Sequence, residues 1–132
     1  MANLQLVALL VREYDPAIRF FVDILDFELI EDSPSTTNAG RPKRWVVVRP
    51  RGATTGILLA KADGGPQVES LGRQFAGRVG MFLRVDDFPA TYARMISAGV
   101  RFVSEPRNQS FGRVAVFLDL EGNRWDLLGP AA

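Results

Sequence analysis

The stretch 4–11 is apolar, too short for a helix, and gives way to polar residues. That pattern predicts a strand buried on both faces. Asp15 then offers an N-cap oxygen, and Pro16 suits a first helical position, where its missing N–H costs nothing. Ile18, Phe21, Val22 and Leu25 recur at i, i+3, i+4 and i+7, which predicts an amphipathic helix over 16–25. Short apolar runs predict strands at 27–30, 45–49 and 57–61, joined in part by a long loop at 33–42.

The same grammar returns later. A strand is predicted at 79–85, and a helix opens at Pro89 and runs to 98, with Tyr92, Met95 and Ile96 as its buried stripe. Gly99 stands where a helix end needs positive φ, and Asp26 takes the corresponding place in the first half. Strands at 101–104, 114–118 and 124–128 follow. Each half therefore reads β-α-β-β-β. Val11-Arg12-Glu13-Tyr14-Asp15-Pro16-Ala17 and Val85-Asp86-Asp87-Phe88-Pro89-Ala90 match in order and local chemistry at an offset of about 73 residues, the mark of an internal duplication. The segment 62–77, with Gly64-Gly65-Pro66, links the halves.

Composition narrows the chemistry. The chain has 132 residues, 47% hydrophobic and 23% charged, and neither cysteine nor histidine. Without them there is no thiolate nucleophile, no imidazole base and no Cys/His metal site. Ser70, Ser97 and Ser104 have no histidine to activate them, so serine hydrolysis is not expected. A net charge of +1 is far from the surplus of a nucleic-acid binder. No apolar run reaches the roughly 20 residues of a membrane span, and no leader is evident, so a cytoplasmic protein without nucleic-acid or membrane partners is expected. Asp86 and Asp87 sit at a predicted helix N-terminus, which favours negative charge. Arg41, Lys43, Arg44, Arg49 and Arg51 cluster around one strand, either as a solvated hairpin surface or as an attraction for an anionic ligand.

Strand parity selects the candidate site. Leu6, Ala8 and Leu10 share one face of the first strand. In the strand at 79–85, Met81, Leu83 and Val85 form the helix-facing set, leaving Phe82 and Arg84 on the other side. In the last strand Trp125 and Leu127 face the helix, so Arg124, Asp126 and Leu128 point away from it. Arg84 and Asp126 are thus expected to meet. They either form a structural salt bridge or present a ligand site in which Arg84 offers its fork to an oxygen and Asp126 orients it. Trp45 either lines the same cavity or belongs to the core.

The paired βαβββ halves, with Leu83-Arg84-Val85-Asp86-Asp87-Phe88 and the turn Asp119-x-x-Gly122-Asn123 leading into Arg124-Trp125-Asp126-Leu127, resemble the vicinal oxygen chelate superfamily. This is the glyoxalase/bleomycin-resistance/extradiol-dioxygenase group, and the likeness runs along essentially the whole chain. The resemblance implies an α+β fold of two βαβββ modules whose curved mixed sheets enclose a cavity. It implies one domain, with module one at 1–61, a linker at 62–77 and module two at 78–132. It also implies a divalent metal held from the first and last strands of each half. Position by position, those ligands fall on Leu6, Leu58, Arg84 and Asp126. Leucine has no lone pair and arginine stays protonated, so only Asp126 could bind an ion. A lone carboxylate falls short of the several oxygens that Mg²⁺ or Ca²⁺ needs. No metal and no other cofactor are therefore expected.

By this resemblance the chain is expected to bind a small organic molecule, with Arg84, Phe82, Arg124 and Trp45 as ligand contacts. The alternative is a lyase, isomerase or dioxygenase-type enzyme in which Arg84 replaces the metal's charge and Asp126 is the general base. A third is a non-catalytic dimeric module. A homodimer is expected by analogy with the family.

Overall fold

β1 (Leu6–Val11) opens the first of two units and pairs in parallel with β4 (Gly56–Lys61), which places Ala8 beside Leu58 and Leu9 beside Leu59. β3 (Pro42–Pro50) lies antiparallel between β4 and β2 (Phe27–Thr36), giving the order β1-β4-β3-β2. A computed structural model describes residues 1–132, and they divide into Met1–Leu71 and Gly72–Ala132. A short helix α2 (Gly65–Glu69) occupies part of the 62–77 segment.

The helix-side face of the first sheet is fully buried, while the other face is buried at Val47 and Gly56 and more open along β1. Leu9, Val11, Val46, Val48 and Leu59 are sealed from solvent, while Ala8 is exposed and Leu6 and Leu10 are half-buried. The two-sided burial expected for 4–11 is therefore corrected to the alternation of a strand with one open face.

The covering helix also departs from its α-helical pattern. α1 spans Tyr14–Ile18 and continues as a π-helical segment, Arg19–Ile24, closed by Leu25 N–H donating to the Phe20 carbonyl. Widening the turn brings the adjacent pair Phe20 and Phe21 inward together with Ala17 and Leu25, and leaves Ile18 and Val22 half-buried. Asp15 does not cap this helix. It lies in the first turn, after an uncapped Glu13, and pairs with Arg44 at 2.9 Å. Half of the loop expected at 33–42 is strand, which leaves a turn only at 37–41. Ser33, Pro34, Ser35 and Thr36 pair with Trp45, Arg44, Lys43 and Pro42, because β2 is an edge strand where polar residues and a proline are tolerated.

The second unit repeats the plan. β5 (Val79–Arg84) pairs in parallel with β8 (Arg124–Gly129), and β7 (Gly112–Leu118) and β6 (Arg107–Gln109) follow antiparallel. α3 (Phe88–Ser97) starts at Asp87, whose carboxylate accepts from the Ala90 N–H at 3.1 Å, and ends before Gly99 at φ +87°. Phe88, Tyr92 and Met95 form its inner stripe, whereas Ile96 is 47% exposed, contrary to expectation. Residues 101–104 make a single bridge, Phe102 to Phe117, instead of a strand, and the edge strand lies at β6. The turn before β8 is organised by buried Asp119. Its carboxylate accepts from the Glu121 and Asn123 N–H groups, from Asn123 Nδ2 and from Trp125 Nε1, at 3.0–3.1 Å. Both open, curved sheets belong to an α+β, glyoxalase-like fold.

Candidate functional site

Each unit presents one sheet face that its own helix does not cover. In the first unit, Trp45, Val47 and Arg49 project from β3 onto that face, beside Leu58 and Ala60 of β4 and Leu6, Ala8 and Leu10 of β1. One end of it opens into a cleft of about 1010 Å³. Trp45, Tyr14, Leu58 and Ala60 supply apolar wall, and the 37–43 hairpin with Lys61, Asp63 and Gln67 forms a polar rim. The rim charges are largely matched. Arg41 pairs with Asp63, and Lys61 with Glu13 at 3.3 Å. Arg44 reaches Asp32 at 2.7 Å and Asp15 at 2.9 Å while lying 5.1 Å over the Tyr14 ring. The hydrogen bonds from Arg44 hold the Asp32 carboxyl below the usual carboxylate range, and the two carboxylates raise Arg44 in return. Trp45 therefore lines a cleft, beside the hairpin whose loop and basic residues Arg41 and Lys43 the sequence marked, and beside Tyr14, which it did not single out.

In the second unit, parity places Phe82, Arg84, Arg124, Asp126 and Leu128 away from the helix, as expected. Phe82 is 65% exposed and Arg84 and Arg124 are exposed, while Trp125, Leu127 and Leu83 are buried behind them. The expected salt bridge does not form. The register sets Phe82 opposite Asp126 and Arg84 opposite Leu128, so Arg84 and Asp126 are diagonal neighbours on the sheet and not directly opposite. Arg84 instead donates to the Phe111 carbonyl at 3.4 Å. The cation that acts on Asp126 is Arg107 of β6, and it only partly offsets burial, which pushes the Asp126 carboxyl up.

A raised carboxyl binds its proton more tightly in the folded protein than in the unfolded chain. Its contribution to stability is full below the ordinary carboxylate pKa and is lost as pH rises through the folded value. Asp126→Asn is therefore expected to raise the melting temperature at pH 7, with the gain shrinking toward pH 4. An equal gain at both pH values in thermal melts would contradict this.

The superfamily's sequence model, described as Glyoxalase/Bleomycin resistance protein/Dioxygenase superfamily, matches residues 3–127. The chain belongs to this superfamily. An uncharacterized protein of Shewanella frigidimarina is 50% identical over 123 residues, covering 92% of this chain and 89% of the relative. The crystal structure of UcmS2 is similar with a TM-score of 0.80 and 32% identity, over 97% of this chain and 98% of that one. TnmS3, an antibiotic binding protein from Streptomyces sp. CB03234, gives a TM-score of 0.78 and 31% identity, over 99% and 98% of the two chains. The family's divalent ion does not fit the residues present. Leu6 and Leu58 offer no lone pairs, Arg84 carries a fixed positive charge, and no three His, Cys, Asp or Glu side chains converge to hold an ion.

Proposed function

We propose that this superfamily member binds a small, largely apolar organic molecule on the open face of its first unit, without a metal. The observation that carries this reading is the cleft of about 1010 Å³ with Trp45 and Tyr14 in its walls. Its size suits a drug-sized molecule, and apolar walls with a few polar groups are the usual make-up of such sites. The likeness to an antibiotic binding protein points to the same class of ligand. Calorimetric titration with hydrophobic antibiotics is the direct test. Trp45→Ala is expected to weaken binding about tenfold, the worth of one aromatic contact, while dialysis against EDTA changes nothing. Absence of binding, or its loss with EDTA, would contradict the proposal.

A second reading is favoured by Asp126 and Arg84 sharing the open face of the second unit, with burial pushing the Asp126 carboxyl up, the direction that suits a general base. Here Arg84 stabilises developing negative charge on a carbonyl or vicinal-oxygen substrate, and Asp126 moves the proton. Asp126→Asn then abolishes turnover in a protein that remains folded, and turnover surviving that change removes the reading.

A further inference from the structure

Three arginines of the basic cluster around β3 are paired with carboxylates, whereas Lys43, which is exposed, and Arg49, which is half-buried, are not. Arg41 is matched by Asp63, Arg44 by Asp15 and Asp32, and Arg51 by Asp26 at 3.2 Å and Glu28 at 3.3 Å. Arg49 is the exception among the arginines. Its cross-strand neighbour in β2 is Glu28, on the same face, yet that carboxylate is turned to Arg51. The Arg49 Nε is enclosed and meets no hydrogen-bond acceptor. That donor is unmatched, and the rest of the half-buried guanidinium meets no carboxylate of the chain either, so its fork is left for an acceptor from outside.

The surroundings define what would supply it. Arg49 shares its face with Val47 and Trp45, and Val47 stands beside Leu58. At about 3.3 Å per residue, Trp45 and Arg49 lie roughly 13 Å apart along the strand, with an apolar floor between them. We propose that Arg49 is the anion-recognising residue of this face, and that its ligand is an elongated apolar molecule ending in an anionic oxygen group such as a carboxylate, sulfonate or phenolate. The proposal rests on the small-molecule reading above and adds the charge and shape of the ligand. A guanidinium suits this role because its planar fork stays protonated and matches paired oxygens.

Two fluorescent probes with the same ring skeleton separate the two ideas. 1-Anilinonaphthalene-8-sulfonate carries the anion, and N-phenyl-1-naphthylamine lacks it. The native protein is expected to bind the sulfonate about tenfold more tightly, the lower end of what a hydrogen bond to a charged group contributes. Arg49→Gln should erase that preference while changing binding of the neutral probe less than twofold, and Arg49→Lys should restore part of it. If the neutral probe binds but Arg49→Gln leaves the preference intact, or if Arg84→Gln removes it instead, the role of Arg49 is refuted while the apolar site stands. Binding of neither probe refutes both.

Discussion

Asp119→Ala is expected to cost about 3–5 kcal/mol of folding stability, more than any surface substitution in this chain. The carboxylate is 5% exposed and serves four donors. Removing it strands the Trp125 indole N–H and the Asn123 amide in the interior and frees the turn that delivers β8 to the sheet. Asp119→Asn tests the cause. Asparagine keeps the shape but places an NH₂ group where one carboxylate oxygen now accepts, so donor faces donor. It should still cost about 2 kcal/mol, because a buried donor is left unmade. Urea unfolding followed by circular dichroism checks both, as a lower midpoint at unchanged slope. Asp119→Asn as stable as the native chain would show that the carboxylate's acceptors are not what hold the turn.

The second large effect is expected at the start of the same unit. Gly72 has φ +71°, and a Cβ built there would lie 2.2 Å from the carbonyl oxygen of Glu121, in the turn that Asp119 organises. Gly72→Ala combines left-handed strain of about 1–2 kcal/mol with a backbone clash that moves the turn, for roughly 3 kcal/mol in all. Gly52 is the matched control. Its φ is +78°, but nothing lies within 4 Å of its added Cβ, so Gly52→Ala should cost only the strain. Equal losses in thermal or urea unfolding would mean that the close approach at Gly72 is unimportant.

How far the sequence discloses this molecule depends on how local each cause is. Burial of one sheet face writes a period of two into a strand, and for that reason Leu83, Trp125 and Leu127 could be set against Phe82, Arg84 and Asp126 correctly. The place of Asp87 at a helix N-terminus and the positive φ of Gly99 and Asp26 are equally local, although the capping oxygen was read at Asp15 and not at Asp87. The π-helical segment was not legible, because Ile18, Phe21, Val22 and Leu25 satisfy the α-helical period as well as any real stripe does. The edge strand at 33–36 was hidden by its own polarity. The pairing of Arg84 with Asp126 failed for a different reason. Parity fixes the face of a residue, but the relative stagger of two parallel strands depends on everything between them, and no pattern within either strand records it. The isolation of Arg49 is of the same kind, since it follows from Glu28 choosing Arg51. Family resemblance supplied the fold and the vacant ligand positions at Leu6 and Leu58, and it was silent on the partner of any charge.

The strand order has a kinetic consequence. In each unit the first strand is paired with the last, so Leu6 must find Gly56, fifty positions on, and Val79 must find Arg124, forty-five on. The hairpins β2–β3 and β7–β8 can close within microseconds, as such local elements do. Neither helix gains its full apolar floor until the distant parallel pair forms behind them, and loop-closure entropy is spent before that contact repays it. Folding of either half is thus gated by one late search, and substitutions confined to β1 or β5 should slow folding more than equally destabilising ones in the hairpins if that search is completed in the transition state.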